Sequence, residues 1–241
     1  MKKISVKKRG LLCFCRWKKE ILLIKDVCLG QFPVRQNKEQ AGTEFKLSLV
    51  ERSFMAILIT IRALSLVHLS KLFIRYNKKS HFSELYVLFW LIILAFFLFA
   101  EYTDKFVLLL TAYRIIEGFD YRLCIIFVDK YKPNWGLRSI NRSLILLVVN
   151  YIEMIIGYAI LYMGTRSISY TAKSERVTDP IDAIYFSVVT ITTLGYGDIL
   201  PASSLGRVLC IAETLMGMIF VVLVIGTFLT GVSDIRHKKT Q

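Results

Sequence analysis

The chain has 241 residues, 55% of them hydrophobic, a mean hydropathy of +0.52 and a formal net charge of +14. A soluble domain of this length cannot usually hide that much apolar surface in one core, so a bilayer is the natural solvent, and four prolines with thirteen glycines argue against a linker-rich chain. Nucleic-acid binding is excluded by where the charge lies: Lys2, Lys3, Lys7, Lys8, Arg9, Arg16, Lys18 and Lys19 crowd the start and Arg236, His237, Lys238 and Lys239 the end, flanking apolar spans and suiting anionic lipid headgroups.

Residues 1–50 read as a basic cytoplasmic segment, and the positive-inside rule places both termini in the cytoplasm of a multi-pass protein of the cell membrane. The apolar stretch at 21–24 is too short for a cleaved signal peptide and is broken at once by Lys25 and Asp26. Cys13, Cys15, Cys28, Cys124 and Cys210 lack metal-ligand spacing and read as reduced structural thiols. Residues 51–80 contain an apolar run, 53–74, that carries Arg62, His68 and Lys71 between Arg52 and the cations Arg75, Lys78 and Lys79. Positive flanks at both ends favour an amphipathic helix on the cytoplasmic interface over a crossing.

Residues 81–140 read as a membrane helical hairpin with a linker. An apolar span over 84–100 is followed by Glu101, Tyr102, Thr103 and Asp104, a short outside turn, and 105–118 returns the chain inward. The amphipathic stretch from Tyr121 to Val128 either prolongs that helix or lies along the interface. Lys130, Lys132, Arg138 and Arg142 then sit inside, before the next span.

Residues 141–232 carry the most specific pattern. A hydrocarbon core about 30 Å thick needs around 20 apolar residues in a helix, and 143–163 and 205–230 meet that standard clearly. Between them Asp179 and Pro180 open a short helix over 181–192 with a capping carboxylate and a first-turn proline. It cannot span, so it must re-enter, aiming the partial negative charge of its C-terminal end where a cation is favoured. Thr193, Leu194, Gly195, Tyr196, Gly197 and Asp198 follow. Carbonyls that all face one axis require alternating backbone handedness, and glycine is the residue that takes the left-handed positions cheaply, which assigns those positions to Gly195 and Gly197. Leu194 and Tyr196 then point away and wedge the loop against the short helix.

This helix, loop and following helix resemble the pore module of tetrameric potassium channels over roughly residues 143–231. The resemblance implies an all-α membrane protein: a pore-loop channel subunit with outer helix, re-entrant pore helix, selectivity filter and inner helix, preceded by an N-terminal membrane helical hairpin. It implies an ion-coordinating filter of Thr193, Leu194, Gly195, Tyr196 and Gly197, with K+ held at the carbonyls of Thr193, Leu194, Gly195 and Tyr196 and the Thr193 hydroxyl from each of four chains. Filter support would come from Thr192, Asp198 and Tyr185, the last two hydrogen-bonded. The family usually has valine where this chain has Leu194 and tryptophan where it has Tyr185, which bears on filter rigidity and on the K+ over Na+ ratio. Gly217 falls where the family often has a hinge glycine, although close helix packing explains a glycine there equally. Val221, Val224, Ile225 and Phe228 are candidates for a narrow apolar gate. No cofactor is implied; K+ is the transported ion.

Glu153 and Glu213 are intramembrane acids. Glu153 is expected to pair with Arg142 or another interfacial cation, and Glu213 to hydrogen-bond behind the filter or to pair with another helix. Arg62, Arg114, Arg122, Arg138 and Arg142 lie in different segments, which is not the every-third-place run of a usual voltage sensor. Residues 233–241 read as a basic cytoplasmic tail too short for a nucleotide- or calcium-binding domain. His68, His81 and His237 are scattered, and GxSxG and phosphate-loop patterns are lacking, so an enzyme is not expected. One filter loop per chain implies a cyclic homotetramer. The alternatives are a non-conducting membrane interaction subunit, docking on another channel through the helices before residue 140, and a weakly selective cation pore.

Overall fold

The computed structural model describes residues 48–64, 79–127, 140–172 and 175–239. Within them the chain forms α1 (Leu49–Leu64), α2 (Lys79–Phe99), α3 (Lys105–Phe127), α4 (Ile140–Gly164), β1 (Ile168–Tyr170), α5 (Pro180–Ile191), β2 (Ile199–Pro201) and α6 (Ser204–Lys239). Local chemistry sets several of these ends. Ser48 and Glu51 form a capping box at the start of α1: the Ser48 N–H donates to the Glu51 carboxylate at 2.9 Å, and the Glu51 N–H donates to the Ser48 hydroxyl at 3.2 Å. Helices α2 and α4 stop the same way, each on a left-handed residue that is not glycine. Glu101 has φ 54° and Arg166 has φ 47°. In each case the N–H one residue further on reaches back five residues, Tyr102 to the Phe97 carbonyl at 2.9 Å and Ser167 to the Tyr162 carbonyl at 3.1 Å, closing a Schellman motif.

The chain divides into two compact units, residues 1–83 with 117–136, and residues 84–116 with 137–241. In the first, α1 buries Met55, Leu58 and Ile59, and Phe54 meets Phe127 edge-on at 5.3 Å. The Cys124 thiol lies 3.6 Å from the Leu58 carbonyl. The interfacial helix expected over 53–74 is described only as far as Leu64; its remainder, 65–74, lies outside the described residues. Helix α3 continues unbroken through Tyr121 to Phe127, so this stretch prolongs the helix.

In the second unit α4 is the central element. Its Gly157 and Gly164 share one face and let the first half of α3 approach closely: a Cβ at Gly157 would meet the Ile115 side chain at 3.0 Å, and one at Gly164 would meet Leu108 at 2.3 Å. Leu94 and Leu98 of α2, Val107 of α3, Ala159, Ile160 and Met163 of α4, and Ala183 of α5 form one buried cluster. Leu144–Gly164 and Ser204–Leu229 are long and apolar enough to cross a membrane, and Glu84–Phe99 and Pro180–Ile191 are shorter apolar helices. The twelve residues of α5 span about 18 Å, short of a hydrocarbon core.

Strands β1 and β2 pair antiparallel, Ile168 opposite Pro201, Ser169 opposite Leu200 and Tyr170 opposite Ile199. This two-stranded ribbon is an addition within the expected all-α architecture. Three-residue strands are too short to show a period-2 pattern, and the pairing is fixed by Ile168 and Ile199, which are buried, and by the Ala202 N–H donating to the Ser167 carbonyl at 2.7 Å. Gly206 at the start of α6 belongs to the same junction, since a Cβ there would sit 2.5 Å from the Ser167 carbonyl oxygen.

Candidate functional site

Helix α5 points at the Thr193–Asp198 run and is pinned at both ends. At its start the Asp179 carboxylate accepts from the Ile181 and Asp182 N–H groups at 2.6 and 3.4 Å, with Pro180 in the first turn. The Tyr170 hydroxyl, from β1, donates to the Asp182 carboxylate. Ala183, Phe186, Ser187, Val189 and Ile191 are buried, and the Phe186 ring meets Tyr162 of α4 edge-on at 4.9 Å.

The C-terminal end of α5 flows directly into the loop. The Thr193 N–H donates to the Thr190 carbonyl at 3.0 Å and the Leu194 N–H to the Val189 carbonyl at 2.9 Å, a Schellman closure in which Thr193 is the left-handed residue at φ 60°. Gly195 at φ 61° and Gly197 at φ 82° continue the pattern, so that every second residue from 193 to 197 is left-handed while Leu194 and Tyr196 are not. No heavy atom lies within 4 Å of a Cβ built at Gly195 or Gly197, so the demand for glycine there comes from backbone conformation and not from crowding. Thr193 meets the same demand without glycine, at a cost of roughly 1–2 kcal/mol that the helix closure offsets. Sequence reading assigned left-handed backbone to the two glycines and missed Thr193, whose signal lay in its position one residue beyond the helix cap.

Around the loop, two side chains from other segments take hold of it. The Tyr185 hydroxyl donates to the Asp198 carboxylate at 2.6 Å, and the Tyr185 and Tyr196 rings stack at 6.4 Å with planes 7° apart. That hydrogen bond holds the Asp198 carboxyl below its ordinary value and, as its largest cause, pushes the Tyr185 phenol up to about 12. Thr171, just beyond β1, donates its hydroxyl to the Gly197 carbonyl at 2.7 Å and its N–H to the Asp198 carbonyl at 2.9 Å. Thr192 caps α5 and donates its hydroxyl to the Val188 carbonyl at 2.6 Å. Tyr196 thus lies on α5 through Tyr185, while Leu194 is 56% exposed in the single chain. Thr171 had no recognisable signal in the sequence, because a lone threonine in a loop is typical of any turn.

Behind the loop, α6 covers α5. A Cβ at Gly217 would lie 2.6 Å from Ile191 Cγ1 and 2.7 Å from the Ile191 carbonyl oxygen, so close packing already requires glycine there. Phe220 and Leu223 lie on the covered face of α6; Val221, Ile225 and Phe228 are exposed in the single chain and Val224 is half-buried. Glu213 is fully buried beside Ser187 and Tyr162. Glu153 pairs with Arg114 of α3 at 2.8 Å, while the side chain of Arg142, named above as a candidate partner, lies outside the described residues. The Arg114 guanidinium lies 5.2 Å from the Tyr86 ring centroid and 5.7 Å from that of Trp90 on α2. Burial strengthens this pair, since two desolvated opposite charges attract each other far more strongly than two exposed ones.

Among the described residues no group of three or more His, Cys, Asp or Glu side chains is placed to hold a metal ion. What the loop offers chemically is a short row of main-chain oxygens after a helix C-terminus, suited to a desolvated monovalent cation.

Residues 145–233 match the family model described as "Ion channel". The chain is 38% identical over 106 residues to "Two pore potassium channel b" of Oryza sativa subsp. japonica, covering 44% of this chain and 28% of that protein. It is 40% identical over 60 residues to "Voltage-gated potassium channel" of Aeropyrum pernix, 25% of this chain and 20% of that one, and 34% identical over 85 residues to "Protein LctB" of Bacillus caldotenax, 32% of this chain and 63% of that one. No solved structure matches. The chain therefore spans about a quarter of the length of the rice channel it matches and less of the archaeal one.

Proposed function

Because residues 145–233 belong to the potassium channel pore family, we propose that the chain is a subunit of a potassium-selective channel that passes K+ passively down its gradient. Four copies surround one axis, and from each the carbonyls of Thr193, Leu194, Gly195 and Tyr196, with the Thr193 hydroxyl, replace the ion's hydration shell. Gly197 ends this filter with its carbonyl tied to Thr171, and Thr192, Tyr185 and Asp198 support it. The single observation that carries the reading is the left-handed backbone at residues 193, 195 and 197, alternating along a loop at the end of a short apolar helix. A side-chain or catalytic site has no use for that geometry, whereas a line of carbonyls does.

In this reading α4 is the outer helix and α6 the inner helix of a pore module over 141–232. It is preceded by the basic cytoplasmic segment 1–50, the interfacial helix of 51–80 and the hairpin of 81–140, and followed by the tail 233–241. The protein is multi-pass in the cell membrane with both termini cytoplasmic, and its basic ends face anionic headgroups. Exposed Leu194, Val208, Ile211, Leu215 and Met218 are the apolar surface that neighbouring copies and lipid cover. Opening is not voltage-driven in the usual way, since Arg114 is locked by Glu153 within the membrane and α3 carries no third-place arginine run.

Purified protein in liposomes tests this. A potassium gradient should drive flux that barium blocks and that sodium does not replace. Equal sodium and potassium permeability would make it a weakly selective cation pore; silence alone with flux only beside a partner chain would make it a non-conducting interaction subunit.

A further inference from the structure

Helices α4, α5 and α6 converge on one carboxyl group. Glu213 of α6 has no solvent exposure, its Oε1 lies 2.5 Å from the Ser187 hydroxyl of α5, and its Oε2 lies 2.7 Å from the Tyr162 hydroxyl of α4. Ser187 also lies 2.9 Å from the Ile155 carbonyl of α4. The hydrogens can be counted. Ser187 has one hydroxyl hydrogen, and both Glu213 Oε1 and the Ile155 carbonyl would claim it if the carboxyl were ionised. A carboxyl that keeps its proton resolves the shortage: Tyr162 donates to Oε2, Oε1–H donates to Ser187, and Ser187 donates to Ile155. Every buried oxygen is then satisfied, and no unbalanced charge is left in the low-dielectric interior.

Ser187 stands two residues before Val189, whose carbonyl receives the Leu194 and Gly195 N–H groups that close α5 onto the loop. One turn below Glu213 on the same helix, Gly217 touches Ile191. The inner helix therefore holds the second half of α5 at two points, one polar and one steric. We propose that Glu213 is a positioning residue for the filter: as a neutral acid it gives a hydrogen bond to Ser187 and so fixes α5, and the carbonyl row that follows it, against α6. This rests on the channel reading above, and it assigns α6 a role in selectivity in addition to lining the path.

The full chain in liposomes decides it, with potassium over sodium permeability as the readout and the unaltered protein measured alongside. Ser187→Ala and Glu213→Leu each remove the link, and the ratio should fall about tenfold, the equivalent of ~1.4 kcal/mol. Glu213→Gln should keep the unaltered ratio, because its amide donates to Ser187 and its carbonyl accepts from Tyr162 as the neutral acid does. Should Glu213→Leu fail to assemble, Ser187→Ala, which deletes a single oxygen, decides alone. A lowered thermal stability with unchanged ratio in Ser187→Ala would overturn the proposal, leaving Glu213 a packing residue. Loss in Glu213→Gln equal to that in Glu213→Leu would overturn the neutral-acid assignment. If the unaltered protein passes no potassium, the channel reading itself falls and takes this one with it.

Discussion

Gly217 and Ile191 pack too closely for any side chain on the former: a methyl group on Gly217 would lie 2.7 Å from the Ile191 carbonyl oxygen, at the point where the short helix gives way to the loop. Alanine would gain about 1 kcal/mol of helix propensity over glycine, but the clash with an immobile carbonyl costs about 1–3 kcal/mol. The clash wins, so Gly217→Ala should lower the thermal midpoint of the protein. Ile191→Ala should not rescue it, because the offending oxygen is main-chain. A hinge role alone would predict unchanged stability with altered opening, and unfolding curves in detergent separate the two.

Gly195 is left-handed at φ 61° with open space where a side chain would stand. Within one chain Gly195→Ala therefore meets no neighbour, and every copy carries the left-handed penalty of roughly 1–2 kcal/mol. The expected outcome is loss of potassium flux with an elution volume on size-exclusion chromatography equal to that of the unaltered protein. Flux at unchanged selectivity would show that the carbonyl row is not built on these backbone angles.

The Tyr185–Asp198 hydrogen bond predicts a pH profile. Asp198 has its folded value lowered by that bond, so the brace is complete above the ordinary carboxylate value and is lost only as pH falls through the lower folded one. Flux should be level from neutral down to mildly acid pH. Tyr185→Phe removes the largest cause of the lowering, so the acid limb should move to higher pH. An acid limb that does not move would mean that another group sets it.

Arg114 and Glu153 make a buried pair, 3% and 6% exposed in their side chains. Removing one charge takes the opposite charge from the other: Glu153→Gln should cost about 3–5 kcal/mol, while the double change Arg114→Met with Glu153→Leu should recover most of it. Thermal unfolding of the three variants checks this, and equal losses in the single and double variants would contradict it.

Much of the pore segment was legible in the sequence because each signal there is local. Asp179 with Pro180 marks a helix start, two glycines at alternate positions mark left-handed backbone, and long apolar runs with few charges mark α4 and the first two-thirds of α6. The hairpin turn at Glu101–Asp104 was legible for the same reason. What escaped depends on partners distant in sequence. Arg114 meets Glu153 across 39 positions, Ser187 meets Glu213 across 26, and Thr171 reaches Gly197 across 26; no period or composition announces such pairs. The β1–β2 ribbon escaped because its strands are three residues long, and Thr193 because a Schellman closure normally advertises itself with glycine.

The claim on which the rest depends is that four loops present their main-chain oxygens to one axis. A cryo-electron-microscopy map of the protein in potassium tests it most directly. The account predicts a fourfold particle with ion density stacked between the four copies of Thr193–Tyr196; a particle without fourfold order, or loops whose side chains face the axis, would contradict it.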